Sequence, residues 1–460
     1  MSRDELDRPR LSLSRERMRA LGYRVVDALV ERWAGLPEAP IPSPPDRAAL
    51  RETLLEPLPR VGRAPEAVIE RALREVLAEA APTGHPRFFG FIPSPSNFIA
   101  VLADTLVAGF NPFGGNWLEA PGPHELERIT IGWIAEACGF PAEASGLFVS
   151  GGSMANLTAL VAAREARGVD PREATLYVSD QTHASIAKAA RVIGFPESAL
   201  RVIPTGDDFA MRIDALAAAV ERDPAPFAVI ATAATTNTGA VDPLESIAEL
   251  CAARGLWLHV DGAYGAAAMF SDRARGALRG LERADSLSLD PHKWLFTPYE
   301  CACVILRDGS RLAATFARRA DYLRDVAGDE PDFQDMGVQL TRSFRALKVW
   351  MTFQVFGADA IAEAIDAGIA RAEHMAARVE SMDGWSLAAP ASMGILAFRC
   401  DALDDDAHAA LVHRLVDTHE AMVSSTVLRG RRWLRACTNN PRTTDDDVDR
   451  TLATLRSLVD

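Results

Sequence analysis

A lysine and an aspartate, each at the end of an apolar run, carry the first chemical signal of this sequence. Lys293 stands in Leu289-Asp-Pro-His-Lys-Trp, whose apolar residues favour partial desolvation, which lowers the pKa of an amine and makes it nucleophilic. Asp261 ends the run Leu256-Trp-Leu-His-Val-Asp, and the small residues that follow let a planar ring approach its carboxylate. Taken singly, each has a plainer explanation: a solvated surface lysine, and an aspartate that caps the next helix.

An anion site and a histidine follow two further apolar runs. Ser150-Gly-Gly-Ser-Met-Ala-Asn opens a helix, whose first N–H groups and the hydroxyl of Ser153 can bind a phosphate. The segment matches neither Walker A nor the dinucleotide fingerprint, which disfavours a nucleotide or nicotinamide enzyme. His183 follows another run, in Ser179-Asp-Gln-Thr-His. An anion site, an imidazole, a carboxylate and an amine together suit pyridoxal 5′-phosphate, which has a phosphate, a flat ring, a pyridine nitrogen and an aldehyde.

Five short apolar runs must position these residues. From about residue 85 such runs alternate with Ala-rich helical stretches, a rhythm typical of α/β proteins. Because ligands of such proteins bind at the carboxyl ends of parallel strands, we expect the residues named above at one edge of a mostly parallel sheet. The predicted strands are Gly146–Ser150, Ala174–Ser179, Phe227–Thr232, Leu256–Asp261 and Ser286–Asp290.

The N-terminal part has a different pattern. Arg17–Trp33 and the residues from Pro65 onward have the spacing of amphipathic helices, and the proline-rich segment Pro37–Pro45 separates them. Two helices are too few for a core of their own. Residues 1–84 are therefore predicted to form a helical arm that packs on the main domain or on a partner subunit.

Residues 85–345 are predicted to form the large cofactor-binding domain. Beyond it, a helix over Ala358–Met382 and strands over Gly394–Arg399 and Trp433–Cys437 predict a smaller α+β domain at 346–460.

Composition limits the possible functions. The chain has 460 residues, 48% hydrophobic and 24% charged, as expected of a folded globular protein with several cores. Its net charge of −14 disfavours nucleic acid and anionic membranes as partners. The charged N-terminus and the lack of an apolar run of about 18 residues predict a cytoplasmic protein. The six scattered cysteines predict neither a disulfide framework nor a metal site.

Four motifs resemble, in this order, those of the group II pyridoxal-phosphate decarboxylases, the family of aromatic-L-amino-acid, histidine and glutamate decarboxylases. They are the segments 150–156, 179–183, 259–265 and 290–294, and the resemblance runs from about Ser14 to the C-terminus. It implies the α/β architecture of fold type I PLP-dependent transferases, similar to aspartate aminotransferase. It also implies a small-molecule amino acid as substrate and a homodimer with the active site at the subunit interface.

The resemblance assigns roles to individual residues. Lys293 becomes the Schiff-base lysine, Asp261 the partner of the pyridinium nitrogen, and His183 the imidazole stacked on the ring. Five further residues would lie at the phosphate, along the ring or beside the lysine: Gly152, Ser153, Thr236, Ala263 and His292. Asp290 stands where many relatives have asparagine near the phosphate, and a carboxylate there is repulsive unless it is hydrogen-bonded.

A tyrosine completes the set that the resemblance implies. Tyr322, in Ala320-Asp-Tyr-Leu, matches the position at which the family carries a proton donor on a mobile catalytic loop, and the polar stretch Arg324–Asp335 would be the lid. The Pro-Thr that precedes this tyrosine in relatives is missing, and the loop is somewhat shorter.

The predicted reaction is decarboxylation of an L-amino acid, expected to be aromatic, to the amine and CO2. Apolar residues suggest an aromatic side-chain pocket: Phe88, Phe89, Phe91, Ile92 and Trp117, with Gly115 leaving room for an indole. A glutamate or aspartate decarboxylase would need a cation, and Arg87 is the only one in that segment. The sequence also leaves open an aldehyde synthase, against which Tyr322 argues, and an aminotransferase-like enzyme. A binding protein without catalysis is a further alternative, against which the intact set of Lys293, Asp261 and His183 argues.

Overall fold

The central feature of the computed structural model, which describes residues 11–318 and 331–459, is a seven-stranded sheet in the order β1-β7-β6-β5-β4-β2-β3. Strands β3, β2, β4, β5 and β6 run parallel, whereas β7 is antiparallel to both its neighbours, β6 and β1. The strands are β1 (Ser145–Val149), β2 (Thr175–Ser179), β3 (Leu200–Ile203), β4 (Pro226–Thr232), β5 (Trp257–Asp261), β6 (Ser286–Leu289) and β7 (Ala302–Leu306).

All strands of this sheet except β3 are buried on both faces, which explains why their sequences are mostly apolar. Successive side chains of a strand point to opposite faces, and in β7 they alternate between two hydrophobic cores. Cys303 and Ile305 pack in one core, Ala302, Val304 and Leu306 in the other.

Helices pack around the sheet, and five of them connect successive strands. They are α4 (Phe98–Phe110), α5 (Pro121–Ala137), α6 (Gly152–Arg167), α7 (Ala184–Val192), α8 (Ile213–Arg222), α9 (Leu244–Arg254), α10 (Pro291–Trp294) and α11 (Ser310–Phe316). The one-turn α10 follows β6 directly and begins with a proline, which is pre-organised for a first helical turn.

A second sheet lies in the C-terminal part, after the long helix α12 (Ala346–Glu380). Gly357, with a φ of +77°, interrupts α12 just before the predicted helix start at Ala358. The antiparallel sheet has the order β10-β11-β9-β8, and α13 and α14 complete this part. The bounds are β8 (Trp385–Leu387), β9 (Ile395–Cys400), α13 (Asp405–Asp417), β10 (Ser424–Leu428), β11 (Arg431–Cys437) and α14 (Asp445–Val459).

The N-terminal part consists of α1 (Arg15–Ala34), α2 (Arg47–Leu54) and α3 (Pro65–Arg71), and none of these helices has a fully buried residue. Salt bridges from Arg17 to Glu66 and from Arg24 to Glu70 join α1 to α3. The predicted helices therefore form without a core of their own. The boundaries proposed for the arm and the two domains stay a prediction.

The predicted strands agree with the observed ones to within two residues. Two strands of the large sheet were not predicted: β3, an edge strand of four residues with two exposed side chains, and β7. Within the described residues, no helix is long and apolar enough to cross a membrane.

Candidate active site

The predicted residues meet in one cavity of about 240 Å³ at the carboxyl ends of the parallel strands. Eight of the nine line it: Gly152, Ser153, His183, Thr236, Asp261, Ala263, His292 and Lys293. The ninth, Tyr322, lies outside the described residues. Elements far apart in the chain thus bring an amine, a carboxylate and two imidazoles together, as expected for a site at the edge of a parallel sheet.

Lys293 lies on α10, and its ammonium group is paired with a carboxylate three residues earlier. Its Nζ lies 2.8 Å from Oδ2 of Asp290, whose side chain is 2% exposed. Burial alone would lower the pKa of Lys293, but the charge and the hydrogen bond of Asp290 outweigh it, and the pKa is raised above its ordinary value. The lowered pKa expected from the apolar flanking residues is therefore wrong for this structure.

Asp261 ends β5 with its carboxylate in the cavity wall. Oδ2 accepts a hydrogen bond from Nδ2 of Asn156 at 3.0 Å, and Oδ1 accepts from the Ser288 hydroxyl and the Ala263 N–H, both at 3.2 Å. The next helical turn begins at Gly265 without a side-chain cap, so Asp261 is not a helix cap. Three donors therefore hold this buried carboxylate in a fixed orientation in the cavity wall.

His183 is the N-cap residue of α7. Its Nδ1 lies 3.2 Å from the N–H of Ser185 and 2.8 Å from the hydroxyl of the same residue. Since a backbone N–H can only donate, Nδ1 is an acceptor and a neutral His183 carries its proton on Nε2.

The predicted anion site lies at the first turn of α6. A Cβ added at Gly152 would lie 2.9 Å from Oδ2 of Asp290 and 3.0 Å from Cβ of Ala263, so this position has room only for glycine. The N-terminal N–H groups of a helix attract anions, and here the Asp290 carboxylate faces them. Its Oδ1 is buried and has no hydrogen-bond partner.

His292 lies between the lysine and the strand β7. Its Nδ1–H donates to the carbonyl of Cys301 at 2.6 Å, and its Nε2 lies 3.6 Å from Oδ2 of Asp290. Burial lowers the pKa of His292. The carbonyl of Cys301 therefore holds the imidazole through Nδ1, while Nε2 is directed toward Asp290.

The residues of the cavity fit pyridoxal phosphate. Lys293 offers an amine for its aldehyde, Asp261 a buried anion for its ring nitrogen, and His183 a flat ring, while the first turn of α6 suits a phosphate. The carboxylate of Asp290 is the exception, because it places a second negative charge where the phosphate would bind.

The aromatic residues expected around the substrate are dispersed. Phe88 and Phe89 are 2% and 1% exposed, and Phe89 packs in the core of the C-terminal sheet, so the prediction that these two line a pocket is wrong. Phe91 and Trp117 are 63% and 48% exposed. None of these four described side chains lines the cavity.

Sequence reasoning missed Asn156 as part of the site. It stands one helical turn after Ser153 on α6 and contacts Asp261 directly. Its presence in the quoted segment 150–156, at the spacing that returns a side chain to the same helix face, was a usable signal.

Comparisons with known proteins agree with this geometry. A profile described as "Pyridoxal-dependent decarboxylase conserved domain" matches residues 54–401. The chain is 40% identical to an aromatic-L-amino-acid decarboxylase of Bacillus atrophaeus, with 98% of this chain and 97% of the relative covered. It is 36% identical to an L-2,4-diaminobutyrate decarboxylase of Rhizobium meliloti, over 86% and 83%.

The fold also matches a solved structure. Oryza sativa TDC, crystallised with PLP and tryptamine, superposes with a TM-score of 0.92 at 28% identity, over 98% of this chain and 100% of that one. The fold predicted from the motifs, that of fold type I, is thereby confirmed.

Proposed function

Because this chain belongs to the family of pyridoxal-dependent decarboxylases, we propose that it converts an aromatic L-amino acid to the corresponding amine and CO2. The observation that carries the proposal is the convergence of Lys293, Asp261, His183 and the first turn of α6 on one cavity. The 40% identical relative named an aromatic-L-amino-acid decarboxylase supports the substrate class.

Each group has a part in this reaction. Pyridoxal phosphate, when bound, supplies an electron-poor ring that takes up the electron pair left when the bond between the α-carbon and the carboxylate breaks. Lys293 would hold its aldehyde, and the charge of Asp261 would keep its ring nitrogen protonated. His183 would lie against the ring. Gly152 and Ser153 would bind the phosphate.

The remaining predicted residues complete the binding site. Thr236 and Ala263 would lie along the ring, and His292 beside the lysine. Tyr322 is proposed to return a proton to the α-carbon, and His183 is the other candidate donor.

The positions of Arg87 and Lys293 favour a substrate with a neutral side chain over one with an acidic side chain. Arg87, the only cation of the segment 85–94, is 7% exposed and donates to the Glu420 carbonyl and to Asp447. Lys293 is the only lysine or arginine among the described residues that line the cavity. Within one chain, a substrate with a second carboxylate would therefore find no cationic partner in this cavity, and desolvating it unpaired is costly.

The test is a product assay. The purified protein with pyridoxal phosphate is incubated with phenylalanine, tyrosine, DOPA and tryptophan, with glutamate and 2,4-diaminobutyrate for comparison. We expect one amine per CO2 released and a higher kcat/KM for at least one aromatic amino acid than for the other two. Faster turnover of glutamate or diaminobutyrate would overturn the substrate class, and aldehyde in place of amine would identify an aldehyde synthase.

The protein is also proposed to be a homodimer. Helix α1 exposes large apolar side chains, with Met18 at 55% and Tyr23 at 64%, and Phe91 and Trp117 are exposed as well. A second copy that covers these surfaces would supply the missing substrate pocket. Sedimentation equilibrium should give the mass of two chains, and an active species of one-chain mass at low concentration would contradict the dimer.

The cytoplasm is the proposed compartment. All six cysteines are buried and free, as is usual where thiols are kept reduced.

A further inference from the structure

A chain of buried polar side chains runs behind the cavity and ends at Asp261. Strands β5 and β6 are in parallel register, with His259 opposite Ser286 and Asp261 opposite Ser288. Nε1 of Trp257 lies 2.9 Å from the Ser286 hydroxyl, which lies 2.9 Å from Nδ1 of His259.

The chain continues from β5 to α6. Nε2 of His259 lies 3.0 Å from Oδ1 of Asn156, and Nδ2 of Asn156 lies 3.0 Å from Oδ2 of Asp261. All these side chains are buried. Because these side chains are shielded from solvent, each polar atom needs a hydrogen-bond partner within the protein. This requirement fixes which atoms pair with one another.

The two ends of this chain fix the direction of every hydrogen bond in it. The indole N–H of Trp257 can only donate, so the Ser286 oxygen accepts from it and its hydroxyl proton is free for His259. At the other end a carboxylate can only accept, so the NH2 group of Asn156 faces Asp261 and its carbonyl oxygen faces His259. His259 must then donate from Nε2, and a neutral ring accepts at Nδ1 from the Ser286 hydroxyl.

The charge state of His259 agrees with this direction. Its ring is completely buried, and burial lowers its pKa to about 4. At neutral pH the imidazole carries one proton, and the two ends of the chain place it on Nε2.

A branch joins the chain to His183. Besides Asp261, Nδ2 of Asn156 lies 3.0 Å from the hydroxyl oxygen of Ser185. That oxygen accepts from the amide, and its own proton is free for Nδ1 of His183 at 2.8 Å. Asn156 is therefore the point at which one set of oriented dipoles divides between the carboxylate and the imidazole of the cavity.

We propose that Trp257, Ser286, His259 and Asn156 are positioning residues that act through Asp261 and His183. They orient the carboxylate and fix the neutral tautomer of His183 with its proton on Nε2. Their benefit to cofactor binding rests on the function proposed above, but the hydrogen-bond direction itself does not.

The direct test is the tautomer of two histidines in the cofactor-free protein. Two-bond ¹H–¹⁵N spectra of protein labelled in the imidazole rings, recorded at pH 8, should show both His259 and His183 with the proton on Nε2. A proton on Nδ1 of His259 would overturn the proposal. No cofactor, substrate or turnover enters this measurement, so it is decided separately from the proposed reaction.

Two variants distinguish the effect of the whole hydrogen-bond chain from the loss of a single donor to Asp261. Asn156→Ala and Ser288→Ala each remove one donor from this carboxylate, but only Asn156 also reaches His259 and Ser185. We expect both variants to weaken pyridoxal phosphate binding about 10- to 100-fold, as for a lost hydrogen bond to a charged group. Only Asn156→Ala should shift the ring resonances of His183. Unchanged His183 resonances in Asn156→Ala would refute the branch, and the wild-type tautomers decide the case should that variant not fold.

Discussion

Replacing Asp290 by asparagine should make Lys293 a faster nucleophile. Oδ2 of Asp290 lies 2.8 Å from Nζ of Lys293, and the carboxylate is almost fully buried, so it holds the amine in its charged form. Asp290→Asn keeps a hydrogen-bond acceptor of the same shape and removes the charge. The pKa of Lys293 then falls, because burial lowers it and the charge of Asp290, which opposes burial most strongly, is gone.

The size of the effect follows from this contact. At 2.8 Å and an effective dielectric constant of about 20, the Coulomb energy of the pair is about 6 kcal/mol, an upper limit. Desolvation and the retained acceptor reduce it to the net value of a hydrogen bond to a charged group, about 1.5–3 kcal/mol. At about 1.4 kcal/mol for each factor of ten, the fraction of free amine at neutral pH rises about 10- to 150-fold.

The assay is the rate at which the cofactor-free protein captures an aldehyde, trapped with borohydride, between pH 6.5 and 9. Pyridoxal, which has no phosphate, reports on the amine alone. Pyridoxal phosphate should gain more, since the variant also removes a negative charge beside Gly152. Asp180→Asn, at the end of β2 and without a contact to Lys293, is the control for net charge. An unchanged rate with pyridoxal in Asp290→Asn would show that Asp290 does not hold the amine of Lys293 in its charged form.

Two further predictions concern a proton donor and a buried histidine. Tyr322→Phe should slow the return of the proton about 10²- to 10⁴-fold. Dioxygen can then oxidise the decarboxylated substrate, so that aldehyde, ammonia and hydrogen peroxide replace amine per CO2 released; an unchanged amine fraction would leave His183 as the donor. Burial lowers the pKa of His259 to about 4 in the folded state. Below pH 6.5 the imidazole is therefore protonated in the unfolded chain but stays neutral in the folded protein, which destabilises the fold. Between pH 7.5 and 5, urea unfolding should show the wild type losing about 2 kcal/mol more stability than His259→Gln, and equal losses would contradict this.

Much of the site could be predicted because strand ends are local features. Asp261 and Lys293 each follow a buried apolar run, and a parallel sheet brings such ends to one edge. Gly152 could be predicted from a local feature as well, because a helix that begins with Gly-Gly leaves its first N–H groups accessible to an anion. Strand β3 was not, because a short edge strand with exposed side chains lacks the apolar signal of the buried ones.

The electrostatics of the site depend on contacts that the apolar pattern does not contain. The pKa of Lys293 was mispredicted because Asp290 lies three residues earlier, and a single helical turn brings these two positions together. The hydrogen-bonded side chains behind Asp261 are partly visible in the sequence. Trp257, His259 and Asp261 occupy alternate positions of one strand and so share a face. The partners on that face come from β6 and α6, and their register is set by the folded sheet.

The central claim, that this cavity holds pyridoxal phosphate through Lys293, is tested most directly by peptide mapping. The holoenzyme is reduced with borohydride, digested and analysed by mass spectrometry, which locates the pyridoxyl group on one lysine. The label is expected on Lys293, and Lys293→Ala should take up none. A label on Lys188 or Lys348 in its place would contradict it.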